Sequence, residues 1–210
     1  SAGERKFVGT EQAVALVACA RQTSRQSIFL NADHVHSLVE AEEVVRAGFD
    51  AVTFDLSHLP LEENIKQSAL AVKRLKAINP DVVIEGEIGQ MLGESRLLDQ
   101  APEIVDLTAA SVAKKYLDAT GVDLLAPAVG NFHGLAKSSN KEIVVEQIRE
   151  IFDRCQVPLV LHGGSGVADE QLTAAISAGV RIIHFNTELR LAWRFGLVSA
   201  LTRRPAESAP

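Results

Sequence analysis

The sequence is poor in cysteine, with only Cys19 and Cys155, which are far apart and outside any CxxC pair. That excludes a disulfide scaffold and a zinc–thiolate centre, and it fits a reducing, cytoplasmic setting. No apolar stretch reaches the roughly 18 residues of a membrane span, so none is expected. The opening Ser1-Ala-Gly-Glu-Arg-Lys6 lacks an apolar signal core, and secretion is not indicated. No long Lys/Arg run occurs, and 21 basic against 27 acidic residues give a net charge of −6. Nucleic-acid binding by bulk charge is therefore not expected. No Gly-, Ser- or Pro-rich linker and no low-complexity segment divides the chain, so its 210 residues read as one domain, or two small ones at most. With 47% hydrophobic and 23% charged residues, the composition is that of an ordinary globular protein and excludes disorder of the whole chain.

Against these absences stand six short, β-branched apolar runs: 28–33, 51–55, 82–87, 124–129, 158–162 and 181–185. Each is nearly continuous rather than alternating, the pattern of parallel strands covered on both faces. Amphipathic helical patterns lie between them, at 37–47, 61–78, 112–117, 143–152 and 170–178. Gly48 and Gly179 follow two of these patterns as helix C-caps. A series of β-α units implies a parallel sheet, either a closed barrel or an open doubly wound one.

Polar residues at the strand ends separate the two. The runs end in Asp33-His34, Asp55-Leu-Ser57-His58, Glu85-Gly-Glu87, Gly130-Asn-Phe-His133-Gly134, His162-Gly-Gly-Ser165-Gly166 and His184-Phe-Asn186-Thr187. Five of the six histidines sit at or just beyond an expected strand end. A doubly wound sheet gathers residues only near its switch point, whereas a TIM barrel gathers all strand ends into one ring. The barrel is therefore the expected fold. His34, His133 and His162 can then reach one point, and three neutral imidazoles with an open position suit catalytic zinc. Asp55 and Glu87 add hard oxygen ligands nearby, although a strand-end ion pair is an alternative for Asp55. The glycine turn 162–166, with a helix expected soon after it, suits phosphate, as does the later Asn186-Thr187 turn. A plain turn is the alternative for the glycines alone.

Taken in order and spacing, these segments resemble the class II, metal-dependent ketose-bisphosphate aldolases. The segments are 32–34, 54–65, 84–89, 128–134, 158–167 and 186–190, and the resemblance runs from Ser1 to about Arg204. It implies a lyase that cleaves a ketose 1,6-bisphosphate, fructose 1,6-bisphosphate first, into dihydroxyacetone phosphate and glyceraldehyde 3-phosphate, in glycolysis and gluconeogenesis. It implies zinc on His34, His133 and His162, with Asp55 and Glu87 as ligands of a second, alternative metal position. It leaves room for a second divalent metal or a monovalent cation. The phosphate cradle implied is Gly134, Lys137, Gly163, Gly164, Ser165, Asn186 and Thr187. Asp33 resembles the acid/base at the hydroxyl beside the cleaved bond. Glu94, expected on a mobile loop, resembles the second acid/base. A metal acting as Lewis acid removes the need for a Schiff-base lysine, and no expected strand carries a lysine. The family further implies a homodimer or homotetramer.

The sequence departs from the family pattern at three places. Asn31 stands where a histidine is usual, and Val35 where a small or polar residue is common. His184 stands at a position, usually asparagine, that contacts the reacting carbons; a histidine there could donate a hydrogen bond or reach the metal. The loop Gly89–Ser95 that carries Glu94 is also one residue shorter than usual. His184 motivates a tagatose-bisphosphate aldolase as one alternative, and His184 with the altered Glu94 loop a non-catalytic metal- and sugar-phosphate-binding homologue as another. A further alternative is a barrel whose histidines are purely structural. A complete (β/α)8 barrel needs about 250 residues. The six runs correspond to strands three to eight, and Ser1–Phe7 resembles the segment after the family's second strand. Residues 1–210 are thus expected to be a single barrel domain lacking the first two βα units and the helical region that usually follows Pro205–Pro210.

Overall fold

The continuous apolar runs become strands because both of their faces can be buried. In the computed structural model, which describes residues 1–103, 107–137 and 141–203, six of them form one parallel sheet. They are β1 (Asn31–Val35), β2 (Ala51–Phe54), β3 (Val83–Ile88), β5 (Leu124–Pro127), β7 (Leu159–Leu161) and β8 (Val180–Ile183). The spatial order is β1-β2-β3-β5-β7-β8, each new strand adding on the same side. A doubly wound sheet reverses its order at a switch point. The observed order has no reversal, and the sheet is a curled half-barrel consistent with a truncated TIM barrel. The expected end at Pro205–Pro210 lies outside the described residues.

Helices α3 (Leu38–Ala47), α4 (Leu61–Ile78), α5 (Ala110–Thr120), α6 (Val145–Cys155) and α7 (Asp169–Ala178) follow the strands and pack side by side outside the sheet. Each buries one stripe. In α6, Ile148, Ile151 and Cys155 are buried at helical spacing, and each isoleucine contributes about 1.5–3 kcal/mol on leaving water. Ser37 caps α3 by accepting from Glu40 N, and Gly48 ends it at φ 105° and ψ 27°, a conformation costly for a residue with Cβ. Three helices were not anticipated: α1 (Ala2–Val8), α2 (Thr10–Thr23) and α8 (Thr187–Arg203). In α8 only Thr187 is buried and apolar residues lie all round, so no stripe marks it in the sequence. Among the described residues, no helix is long and apolar enough to cross a membrane.

Two strands also differ from expectation. β4 (Gly93–Leu98) and β6 (His133–Ala136) pair with each other, parallel, as a separate two-stranded unit. The segment carrying Glu94, expected as a mobile loop, is therefore a strand, and His133, which follows β5, also opens a strand of its own. Five of the six residues of β4 are exposed, so it has no burial pattern to read.

Candidate active site and metal centre

The main strand ends and the β4–β6 pair enclose a cavity of about 420 Å³. Its lining includes Asp33, His34, Asp55, Glu87, Glu94, His133, Gly134, His162, Gly163, Ser165, His184, Asn186 and Thr187. Gly164 and Lys137 lie outside it. Gly164 packs against Ile183 and donates to His184 O, while Lys137, more than half exposed, pairs with Asp99 at 2.7 Å.

β1 delivers Asp33 and His34 through an irregularity in its pairing with β2 between Ala32 and Val35. His34 has φ 50°, a left-handed conformation that costs of order 1–3 kcal/mol in a non-glycine residue and concentrates at functional sites. One ring nitrogen from each of His34, His133 and His162 lies within 4.8 Å of the others. Their ring centroids are 5.1, 4.9 and 6.1 Å apart. Sequence separations of about a hundred residues are thus closed by the ring of strand ends.

His162 is fully buried, and its Nε2 lies 2.6 Å from Glu85 Oε1. Its Nδ1 is buried and, among the described residues, has no hydrogen-bond partner. A buried ring nitrogen left unsatisfied is destabilising, and a metal ion would satisfy it. Donating Nε2–H to Glu85 fixes the tautomer that leaves the Nδ1 lone pair free, the usual support of a metal-binding histidine. Glu85 belongs to the Glu-x-Glu motif but carried no role in the sequence. The period-two alternation of a strand, which puts Glu85 and Glu87 on one face, is the signal for it. Substitution of Glu85 by glutamine should weaken zinc binding by roughly 10–100-fold, an expectation that chelator competition checks.

On the other side, Asp55 Oδ2 lies 2.9 Å from His34 Nδ1, while Oδ1 accepts from Ser57 N and Oγ. Asp55 therefore orients His34, and Glu87 Oε2, buried and without a hydrogen bond, is the uncommitted oxygen beside it. His34, Asp55 and Glu87 form a second group of potential ligand atoms within 4.8 Å, and Asp33, His162 and His184 a third. Three imidazoles with an unpartnered buried nitrogen, next to a free carboxylate oxygen, fit a zinc ion.

The electrostatics follow from this crowding. Burial lowers the affinity of His34 for a proton, but the Asp55 hydrogen bond and the charges of Glu87 and Asp33 outweigh it and hold the pKa at about 9. Burial and the neighbouring His34 and His162 push His133 down to about 4. Burial also lowers His162, despite Glu85. Glu87 is raised well above the usual carboxylate range, by burial and then by Asp55. Burial raises Asp33, yet the adjacent His184 and His34 prevail and hold it below the ordinary range. His184 Nδ1 lies 3.5 Å from Asp33 Oδ1, and its ring lies 4.3 Å from that of His162.

Ser165 Oγ accepts from Asn186 N and Glu188 N, each at 3.3 Å, and so joins the glycine turn to the start of α8. Gly163 has φ 64°, and a Cβ there would meet Phe132 O at 2.2 Å. Gly163→Ala should therefore destabilise the protein by roughly 1–3 kcal/mol or more in a denaturant unfolding titration. The sequence reading also passed over His36, whose Nδ1 is 2.8 Å from Asp55 O, and Arg190, which lines the cavity and donates to Asn186 Oδ1. The His34-x-His36 alternation was a signal for the first; an arginine in an exposed helix gives none for the second.

The comparisons bear on the fold and the family. A 24% identical solved structure, the YdjI aldolase from Escherichia coli K12, superposes with a TM-score of 0.76 over 98% of this chain and 68% of its own. A putative fructose-1,6-bisphosphate aldolase from Coccidioides immitis gives 0.77 at 26% identity, over 99% and 69%. The fructose-bisphosphate aldolase from Campylobacter jejuni gives 0.73 at 21% identity, over 94% and 63%. The sequence profile described as "Fructose-bisphosphate aldolase class-II" matches residues 1–208. The chain belongs to the class II fructose-bisphosphate aldolase family.

Proposed function

We propose that this chain carries the active site of a zinc-dependent aldolase acting on a ketose 1,6-bisphosphate, fructose 1,6-bisphosphate first. The supporting observation is the unpartnered, fully buried His162 Nδ1 where the three histidines meet, beside the carboxylate of Asp33. His34, His133 and His162 would hold the ion. When bound, it would supply Lewis-acid stabilisation of the negative charge that cleavage beside a carbonyl leaves on the carbonyl and hydroxyl oxygens.

The chain's own residues do the rest. Asp33, kept ionised by His184 and His34, takes the proton from the hydroxyl beside the breaking bond and returns it during condensation. His184 holds Asp33 and offers a ring N–H toward the reacting carbons. Glu94, exposed on β4 and 3.1 Å from Arg96, borders the cavity as the second acid/base, at the carbon beside the carbonyl. The backbone of 163–165 and the N-terminus of α8 at Thr187 receive the phosphate of the dihydroxyacetone phosphate half. Ser165 and Asn186 fix the two turns against each other.

A second reading is a binding protein without turnover. His184 favours it, because its bulk crowds His162 and Asp33 where the family usually has asparagine. A coupled assay for triose phosphate, run on fructose and tagatose 1,6-bisphosphates, separates the readings. Cleavage of either sugar supports the aldolase and the faster one names it. Tight binding without cleavage supports the second reading.

A further inference from the structure

Lys141 lies in the polar stretch that follows β6. The structure buries it to 2% exposure. Its Nζ donates to Phe132 O at 2.6 Å and to Gly163 O at 2.7 Å, and sits 4.4 Å above the Phe132 ring. Phe132 immediately precedes His133, and Gly163 immediately follows His162. One ammonium thus bridges the backbone beside two of the three histidines. Among the described residues no other donor reaches either carbonyl. Among the described residues no carboxylate is bonded to this ammonium, and a buried cation without a bonded counter-charge is costly. Burial lowers its pKa to about 8, against the opposing attraction of Glu188. A cost of that kind persists where the geometry it enforces is used.

Other bonds converge on the same seam. Asn131 Nδ2 donates to His162 O at 3.1 Å, while its Oδ1 accepts from Val129 N. The absent Cβ of Gly163 lets Phe132 O approach. The carbonyls of the two strand-end segments therefore face each other and would repel without a cation between them.

We propose that Lys141 is a positioning residue of the metal centre, its ammonium bonding Phe132 O and Gly163 O and so setting the separation of His133 and His162. The inference rests on the reading of those histidines as metal ligands. The ammonium acts through the backbone and touches neither imidazole, so its loss changes where the ligands stand rather than their identity.

The test is zinc affinity by chelator competition on the purified chain, with far-UV circular dichroism to confirm folding. Lys141→Met keeps the aliphatic stem but removes the charge and its donors. It should weaken zinc binding by roughly 10–100-fold, the usual cost of losing outer support of a ligand. Lys141→Ala should weaken it likewise, and added propylammonium, which replaces the three missing carbons and the nitrogen, should restore part of the affinity. Propylammonium should leave the wild type unchanged. A purely structural role would not be rescued by a soluble cation. Equal zinc affinity in Lys141→Met and wild type, or an alanine variant that propylammonium does not restore, overturns the proposal. Failure of both variants to fold also overturns it, and makes Lys141 a folding residue. If the wild type itself binds no zinc, the metal-centre reading falls and this proposal falls with it. Zinc held equally by wild type and variants sinks the role of Lys141 alone.

Discussion

Replacing Asp33 by alanine is expected to slow ketose-bisphosphate cleavage by roughly 10²–10⁴-fold while the protein retains its zinc. A base must be ionised at working pH and within reach of its proton. Asp33 meets the first condition because two imidazoles, at 3.5 and 3.8 Å, offset the penalty of its burial. It meets the second because Asp33 lines the cavity and, among the described residues, its Oδ1 is approached only by those two imidazoles, neither at full hydrogen-bond distance. The loss should fall on kcat and kcat/KM together, since the proton moves only in the transition state. Steady-state kinetics with zinc quantitation on the same sample checks this. A variant that keeps its zinc and near wild-type kcat removes Asp33 from the chemistry.

Replacing His162 by alanine should be as severe for a different reason. It removes both a proposed ligand nitrogen and the only hydrogen-bond partner, among the described residues, through which Glu85 is joined to the cluster. Glu85 is then left buried without that partner beside an empty space, a destabilising arrangement. Lewis-acid stabilisation of several kcal/mol corresponds to about 10³-fold in rate. His162→Ala should accordingly lose zinc and cleavage together, and it should unfold at lower denaturant than Asp33→Ala. The double variant His162→Ala/Glu85→Gln should recover part of the stability and none of the activity, because a neutral amide is less costly to leave buried without a partner than a carboxyl group. Chemical denaturation of the three variants, read beside their zinc content, distinguishes these effects. Equal stability of the single and double variants would contradict the pairing of Glu85 with His162.

The two predictions reflect how far each part of the molecule could be read from its residues. The six sheet strands were legible because runs such as Leu159–Leu161 are apolar on both faces, a property local to the sequence. The convergence of His34, His133 and His162 was legible for a topological reason: a parallel barrel brings every strand's carboxyl end to one rim. What escaped had no periodic signature. β4 is almost wholly exposed and finds its partner β6 across about forty residues, so neither strand announces itself. Lys137 and Lys141 look alike in a polar stretch. Yet Asp99 pairs with the first outside the cavity, while two backbone carbonyls bury the second. That difference exists only once Phe132 and Gly163 are adjacent in space. Glu85 lies between these cases: its alternation with Glu87 was visible, but its partner, 77 positions away, was not.

The central claim is that the three histidines hold a metal on which cleavage depends. The most direct measurement follows zinc content and fructose 1,6-bisphosphate cleavage in one preparation, through chelation and then stepwise zinc addition. The account predicts that activity disappears as zinc is removed, while the fold persists. It should return in proportion to the zinc restored, reaching full rate at one ion per chain. Cleavage at full rate by the metal-free protein, or a folded chain that takes up no zinc, would contradict it.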